Sequence, residues 1–178
     1  MHPNETVEML ISAEEIGARI QSLAGEIIRD YGDTPLILMC ALTGGVIFLT
    51  DLSGKLGNNA TLDFLRVSSY DDGTETTGLI NLDCHPKLDL KGKEVLLVED
   101  IVDTGQTLAY LKGYLQNKGA ARVRVCALLD KPARRQVNVN ADYVGFTIPD
   151  EFVVGYGLDY AQRYRNLPYV GVLKFNEE

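Results

Sequence analysis

Cysteine and histidine are scarce in this chain of 178 residues, which has three cysteines and two histidines. Cys40, Cys84 and Cys126 are odd in number and far apart, and no C-x-x-C pair is present. The histidines, His2 and His85, add no spacing typical of zinc ligands. The sequence therefore argues against a structural zinc site, and unpaired thiols favour a cytoplasmic location.

The chain also lacks an apolar run of membrane-spanning length. Its first residues, MHPNETVEML, have neither the basic nor the apolar region of a signal peptide, so none is expected. Acidic residues outnumber basic ones by 25 to 17, which gives a net charge of −8. This balance argues against a nucleic-acid binder, which needs a cationic face, but allows a local site for a small phosphorylated ligand. No linker or repeat interrupts the sequence, and we expect one domain spanning residues 1–178.

Helix and strand patterns alternate along the chain. Ser12 to Glu15 reads S-x-x-E, a capping box, and it begins an amphipathic helix that Gly32 ends. The polar segment 68–78 is predicted to be a long loop, and such loops in compact domains are often lids. The other predicted elements are strands over residues 36–42, 61–67, 94–98 and 123–129, a helix over 46–56 and a helix from Asp103 to about Lys118.

The last strand–helix–strand stretch is a βαβ unit, whose strands are parallel and joined by a right-handed crossover. The whole pattern predicts a doubly wound α/β fold with a mostly parallel sheet. Ligands of such sheets bind at the carboxyl ends of the strands.

The most informative segment is VLLVEDIVDTGQTL, residues 95–108. A buried apolar run is followed at once by Glu99 and Asp100, and Asp103 comes three residues later. The turn then opens a helix, whose N-terminus offers free backbone amides to a phosphate. Gly105 lets the backbone approach such a ligand closely. The segment lacks the G-x-x-x-x-G-K of a Walker loop.

Carboxylates beside a phosphate repel it unless they face another group. Sugar hydroxyls and Mg²⁺ both bind carboxylate oxygens. The pattern therefore predicts a sugar phosphate, with its hydroxyls and a metal on Glu99 and Asp100. The competing interpretation is a solvated acidic loop, which a bare D-T-G would favour. The preceding E-D pair and the following helix argue against it.

At these residues the sequence resembles the type I phosphoribosyltransferases, whose motif is a hydrophobic strand followed by E-D-x-x-D-[ST]-G-x-T. Further segments are similar to the bacterial hypoxanthine-guanine branch of that family: LTGG at 42–45, SSY at 68–70, LDKP at 129–132 and IPDEFVVGYGLDY at 148–160. The resemblance covers roughly residues 7–175. It implies a small hood region and a flexible lid loop beside the α/β core.

The resemblance implies a purine salvage enzyme that needs Mg²⁺. Its substrates would be phosphoribosyl pyrophosphate (PRPP) and hypoxanthine or guanine, and its products IMP or GMP and pyrophosphate. It also implies a homo-oligomer, either dimer or tetramer, with no nucleic-acid or membrane partner. Two alternatives stay open: a PRPP-sensing regulator, for which the chain has no basic face, and a transferase for xanthine or another base.

The resemblance also implies a role for each matching residue. Glu99 and Asp100 bind the ribose hydroxyls and support Mg²⁺, while Asp103 is the general acid/base at purine N7. The 5-phosphate lies on Asp103, Thr104, Gly105, Gln106 and Thr107. Pyrophosphate binds Thr43, Gly44, Ser69, Tyr70 and Arg165, with a cis peptide between Leu42 and Thr43. The purine site is formed by Lys131, Phe152, Val153 and Asp159, and Asp159 also binds a second Mg²⁺.

Residue patterns alone also allow a purely structural explanation for several of these positions. Lys131 could be a surface lysine before a turn proline, and Asp159 could cap a short helix. Only the resemblance selects Arg165 over the neighbouring Arg163. Thr43 and Gln106 stand at positions that basic residues frequently occupy in the family. No role is predicted for Arg134, for Arg135 or for residues 79–90.

Overall fold

The structure is a computed structural model, and it describes residues 4–57, 60–71 and 76–175. Its elements follow in the order β1 (Glu5–Ile11), α1 (Ala13–Tyr31), β2 (Leu36–Leu42), α2 (Val46–Ser53), β3 (Ala60–Asp71), β4 (Thr76–Cys84), β5 (Glu94–Val102), α3 (Gln106–Asn117), β6 (Arg122–Asp130), β7 (Tyr143–Thr147), β8 (Val153–Val154) and β9 (Val170–Phe175). A turn of 3-10 helix, Pro132–Arg134, follows β6. Within the described residues, no helix has the length and apolar character needed to cross a membrane.

Six strands form the central sheet, in the order β4-β3-β2-β5-β6-β7. All neighbours are parallel except β3 and β4, which pair antiparallel. Because side chains alternate across a strand, the two faces of the sheet carry two separate apolar cores. Helices α1 and α2 cover one face, and α3 covers the other. The predicted doubly wound α/β fold with a mostly parallel sheet is confirmed.

Local signals in the N-terminal half predict its elements closely. The Ser12 hydroxyl accepts from the Glu15 N–H at 3.2 Å, and the Ser12 N–H donates to Glu15 Oε2 at 2.8 Å, so the capping box is present. Gly32 ends α1, as expected. Strand β2 has the predicted bounds and is almost wholly buried. Helix α2 is shorter than predicted and ends at Ser53.

Strand β5 is longer than predicted, because its pairing with β6 continues beyond the apolar run. The register extends from Glu94 opposite Arg122 to Val102 opposite Asp130. Glu99 and Asp100 therefore lie inside the strand and not in a loop after it. The parallel ladder fixes these acidic residues at the carboxyl end of a central strand.

The prediction of a polar lid loop over residues 68–78 is wrong as a statement of secondary structure. Strand β3 continues to Asp71, β4 begins at Thr76, and the two form an antiparallel hairpin across most of this segment. The ladder needs only backbone partners, so a polar composition does not prevent it. The tip between the strands lies outside the described residues, and so do the side chains of Ser69 and Tyr70.

A second, three-stranded antiparallel sheet in the order β1-β9-β8 forms the small hood that the resemblance implied. The buried Glu5 of β1 accepts from Arg163 Nη2 at 2.8 Å and from the hydroxyl of Tyr164. Charge-assisted hydrogen bonds of this kind hold the loop before β9 against the hood.

The segment after β4, which the sequence left without a role, is held by Asp63 of β3. This buried carboxylate accepts from the backbone N–H of Lys87 at 2.7 Å and of Leu88 at 2.8 Å through Oδ2. The two bonds fix the path of the chain into β5.

Candidate active site

A cavity of about 300 Å³ opens at the carboxyl ends of β2 and β5. Its polar wall comes from the strand end of β5 and the turn into α3. It is lined by Ala41, Leu42, Gly44, Val67, Glu99, Asp100, Ile101, Val102, Asp103, Thr104, Gly105, Thr107 and Leu108. The cavity therefore unites the acidic pair, the turn before α3 and two residues of the segment 42–45.

The turn before α3 is a close-packed backbone cradle. Gly105 has φ 83, in the left-handed region, and a Cβ there would lie 2.7 Å from Val139 Cγ1. The Thr104 carbonyl accepts from the Gln136 N–H at 2.9 Å, which ties the turn to the segment after β6. Gln106 directs its side-chain amide to Gln136 Oε1 at 2.8 Å. The Gln106 N–H lies 3.4 Å from Thr104 Oγ1, and this helix N-terminus, like others, can bind an anion through its first amides.

Glu99 and Asp100 form the acidic floor of the cavity. Glu99 is 6% exposed, and its Oε1 is buried with no hydrogen-bond donor among the described residues. Burial raises the pKa of Glu99 well above its ordinary value, and the negative charge of Asp100 raises it further. Burial also raises the pKa of Asp100, although the Ile101 N–H, 2.8 Å from Oδ1, opposes the shift. Among the described residues Glu99 Oε1 lacks a partner, which a hydroxyl donor or a cation would supply.

The segment 42–45 and the loop before β9 meet beside this floor. The Leu42–Thr43 peptide is cis, in agreement with the resemblance. Gly44 packs so closely that a Cβ would lie 1.7 Å from Asp100 Oδ2. A Cβ on Gly157 would in turn lie 2.1 Å from the Gly44 carbonyl oxygen. Backbone contact, with no room for side chains, sets the shape of this side of the cavity.

Arg165 and Asp159 lie on the same loop and are bonded to each other. Arg165 Nη2 lies 2.7 Å from Asp159 Oδ1, and Arg165 Nη1 donates to the Gly157 carbonyl at 2.7 Å. The second oxygen of Asp159 accepts from the Gln162 N–H at 2.8 Å. The positive charge of Arg165 partly opposes the rise in the pKa of Asp100 that burial causes.

Lys131 lies just after β6 and is 6% exposed. Its ammonium donates to the Glu151 carbonyl at 2.8 Å and lies 3.8 Å from Asp150 Oδ1. The lysine is therefore a buried, oriented donor, and the alternative of a solvated surface lysine does not hold. The residues next to Lys131 in the sequence, including Pro132, give no indication of its contact with Glu151.

Phe152 has an exposed ring and directly follows Asp150 and Glu151, the partners of Lys131. Its side chain is 51% exposed, and it packs edge-on against Tyr160 with 5.8 Å between ring centroids. Tyr160 packs in the same manner against Phe175 at 5.4 Å. The following residue, Val153, is buried and pairs with Val172 of β9. An exposed aromatic ring that neighbouring rings hold in place can stack on a flat ligand.

Asp103 and Arg134 form a contact that the sequence analysis missed. Arg134 Nε lies 3.3 Å from Asp103 Oδ1. Its neighbour Arg135 faces elsewhere, toward Asp130 and the Val139 carbonyl. The sequence carries no local signal for this contact, because Arg134 lies on a different turn, after Lys131, far along the chain from Asp103. Only the fold makes that turn adjacent to Asp103.

The three proposed metal ligands do not form a preassembled site. Within residues 4–57, 60–71 and 76–175, no three acidic, histidine or cysteine side chains are grouped to hold a metal ion. Mg²⁺ commonly takes one or two protein carboxylates and completes its shell with substrate phosphates and water. The unpartnered oxygen of Glu99, beside Asp100, fits such an ion. Asp159 already shares its carboxylate with Arg165 and Gln162, and its metal role stays a prediction.

The phosphoribosyl transferase domain family matches residues 6–161 of this chain. The chain belongs to the phosphoribosyltransferase family. It is 45% identical over 174 residues to the hypoxanthine-guanine phosphoribosyltransferase of Streptococcus pneumoniae, with 98% of this chain and 97% of that protein covered. It is also 45% identical over 168 residues to the hypoxanthine phosphoribosyltransferase of Escherichia coli, with 93% and 94% covered.

Solved phosphoribosyltransferase structures have the same fold. A hypoxanthine phosphoribosyltransferase from Staphylococcus aureus superposes with a TM-score of 0.90 at 42% identity and covers 94% of this chain and 91% of that one. A hypoxanthine-guanine phosphoribosyltransferase from Bacillus anthracis gives a TM-score of 0.90 at 41% identity, with 96% and 99% covered. In the latter structure a HEPES molecule lies in the active site. The family membership implied by the acidic motif is thus confirmed over nearly the whole chain.

Proposed function

We propose that this phosphoribosyltransferase transfers the 5-phosphoribosyl group of PRPP to N9 of hypoxanthine or guanine, giving IMP or GMP and pyrophosphate. One observation carries the proposal: a single cavity joins a buried acidic pair with an unmet oxygen to a helix N-terminus open to an anion. A sugar phosphate satisfies both groups at once. The match to hypoxanthine-guanine phosphoribosyltransferases over almost the full length supports the choice of base.

PRPP would occupy the cavity with its phosphate on the turn before α3. The backbone amides and hydroxyls of residues 103–107 bind the 5-phosphate, and Glu99 and Asp100 accept from the ribose hydroxyls. Pyrophosphate lies over Thr43 and Gly44, within reach of Arg165. Glu99 and Asp100 would hold Mg²⁺, which would supply positive charge against the leaving pyrophosphate.

Transfer breaks the bond between ribose C1 and pyrophosphate and forms the bond from purine N9 to C1. The ribose ring becomes positively charged on the way, and the carboxylates of Glu99 and Asp100 stabilise that charge. As N9 attacks, the proton on N7 passes to the Asp103 carboxylate, which then acts as a general base. The reverse reaction returns the same proton from Asp103 to N7.

Base selection rests on Lys131, Phe152 and Val153. Lys131 is a donor only, so it pairs with the 6-oxo group of hypoxanthine or guanine and opposes the 6-amino group of adenine. Its bond to the Glu151 carbonyl holds the ammonium in place before the base arrives. Phe152 stacks on the purine, and the backbone of Val153 contacts the edge of the ring.

Water must be excluded, since it would hydrolyse the activated sugar. We propose that the β3–β4 hairpin supplies the cover, with Ser69 and Tyr70 closing over pyrophosphate. The hairpin is at the edge of the sheet next to β2, the strand that leads to Thr43 and Gly44. It is therefore on the side of the cavity where the pyrophosphate would leave.

Replacing Gly44 by Ala tests the ribose and pyrophosphate positions together. The new Cβ would lie 1.7 Å from Asp100 Oδ2, so that carboxylate must move. We expect PRPP to bind about tenfold more weakly or worse, a loss of ~1.4 kcal/mol. Isothermal titration with PRPP and Mg²⁺ measures the loss.

Gly17→Ala is the matched control for Gly44→Ala. A Cβ at this position in α1 meets nothing within 4 Å, and alanine favours a helix. The control is expected to keep the PRPP affinity of the unmodified protein. Equal affinity in Gly44→Ala would remove Asp100 from the ribose site.

A panel of bases tests the proposed activity directly. Product formation is measured with PRPP and Mg²⁺ and with hypoxanthine, guanine, xanthine, adenine, uracil or orotate in turn. We expect turnover with hypoxanthine and guanine and little with adenine or the pyrimidines. Tight PRPP binding without turnover of any base would contradict the proposal and favour a sensor of PRPP.

The same proposal extends to the setting of the enzyme. We propose that residues 1–178 form one phosphoribosyltransferase domain, and that it acts in the cytoplasm as a homo-oligomer. The free state of Cys40, Cys84 and Cys126 supports a reducing compartment. Size-exclusion chromatography with light scattering measures the oligomeric state.

A further inference from the structure

Asp103 has one oxygen whose environment the proposed function does not explain. Its Oδ1 is buried and has no hydrogen-bond partner among the described residues, although the side chain as a whole is 37% exposed. The cation beside it is Arg134, whose Nε lies 3.3 Å from this oxygen. Arg134 is on the 3-10 turn that follows Lys131. This turn therefore connects Lys131, the proposed donor to the purine, with Asp103, the proposed acid/base residue.

Arg134 also connects the two ends of the purine site. Its Nη1 lies 3.8 Å from Asp150 Oδ1, and the same oxygen lies 3.8 Å from Lys131 Nζ. Charges alternate along the series Asp103, Arg134, Asp150 and Lys131. The series runs from the group that takes the N7 proton to the group that pairs with O6, and these two atoms are neighbours on one edge of a 6-oxopurine.

The series contributes little to the stability of the fold. Arg134 and Asp150 are 51% and 53% exposed, and ion pairs between exposed side chains contribute little to stability. The geometry is better explained by a role of Arg134 in orienting the Asp103 carboxylate. Asp103 has the acidic floor on one side and the expected phosphate on the other, and like charges drive its carboxylate outward toward solvent.

We propose that Arg134 is a positioning residue for Asp103. Its guanidinium holds Oδ1 of the carboxylate, so that the second oxygen stays directed at purine N7, and its contact with Asp150 sets this carboxylate at a fixed separation from Lys131. The proposal rests on the proposed function. It predicts a loss in the chemical step, not in the binding of PRPP, which Arg134 does not contact.

The experiment compares three single variants: Arg134→Gln, Arg134→Lys and the control Arg29→Gln. A double variant combines Arg134→Gln with Asp103→Asn. Arg29 is an exposed arginine in the last turn of α1. We expect Arg134→Gln to lower kcat with hypoxanthine about tenfold, equivalent to ~1.4 kcal/mol. KM for PRPP and the melting temperature stay unchanged. Lysine restores part of kcat, because it returns a cation without the planar fork.

The double variant separates positioning from a general effect on the site. If Arg134 acts through Asp103, adding Arg134→Gln to Asp103→Asn lowers kcat no further. An equal loss in both backgrounds, or an unchanged kcat in Arg134→Gln, would overturn the proposal while the transferase assignment stands. Absence of turnover in the unmodified protein with every 6-oxopurine would overturn both.

Discussion

Asp103→Asn is expected to lower kcat with hypoxanthine by about 100-fold or more while PRPP binds with nearly unchanged affinity. Asparagine keeps the shape of the side chain but cannot take the N7 proton. The change does not alter the backbone amides of this turn, which we propose to bind the 5-phosphate. Steady-state kinetics with hypoxanthine and calorimetry with PRPP measure the two effects separately.

Asp89→Asn is the matched control for this substitution. Asp89 lies before β5, at the opposite end of the sheet, and its side chain accepts from the Lys91 N–H at 3.0 Å. An asparagine oxygen can accept the same bond, so kinetics and stability should both be retained. Unchanged turnover in Asp103→Asn would remove this residue from proton transfer, and a large fall in PRPP affinity would make it a phosphate ligand instead.

Elements with a strong local signal could be predicted from the sequence alone. Strand β2 is a continuous apolar run, and both of its faces are covered by cores, so its bounds follow from composition. Helix α1 begins at the capping box of Ser12 and ends at Gly32, both of which are local backbone features. In each case the residues that set the boundary are next to it in the chain.

Elements that depend on backbone pairing with another strand were missed or cut short. The β3–β4 hairpin is polar, and nothing in SSYDDGTETTG reports that its backbone has a partner. Strand β5 continues through Glu99 and Asp100 because β6 continues beside it. The hood strands β1 and β9 pair across almost the whole length of the chain. Polarity alone did not distinguish a paired strand from a loop.

The candidate site divides in the same way. The acidic pair and the phosphate turn are consecutive in the chain, so one segment predicted the cavity wall they form. Contacts between remote segments had no such signal, as with Arg134 on Asp103 and Gly157 on Gly44.

The R-Y-R run gives a further example of what spacing leaves undecided. Arg163 binds Glu5 of the hood, whereas Arg165 binds Asp159 and the Gly157 carbonyl beside the cavity. The two arginines are two positions apart in the chain and have different surroundings. Their separation comes from the fold of the loop before β9, which includes several residues with positive φ.

Lys131→Met is expected to lower kcat/KM for hypoxanthine by about 10- to 100-fold, which is the effect of leaving a buried polar group unpaired. Methionine fills much the same volume but leaves purine O6 and the Glu151 carbonyl without their donor. Adenine loses nothing, because its 6-amino group no longer meets an ammonium. The preference for hypoxanthine over adenine therefore falls, and kcat/KM for hypoxanthine, guanine and adenine measures the change.

Two further variants decide whether hydrogen-bond polarity or simple damage causes that fall. Lys55→Met, at an exposed position after α2, controls for the loss of one positive charge and is expected to leave all three values unchanged. Lys131→Gln keeps a donor and adds an acceptor, since an amide carries both. It is expected to recover part of the hypoxanthine activity and to raise adenine activity above that of the unmodified protein. Hypoxanthine kinetics that survive in Lys131→Met would show that O6 is recognised elsewhere. A rise in adenine use in both variants would show that the ammonium excludes the amino group, whereas a rise confined to Lys131→Gln would show that adenine needs an acceptor at residue 131.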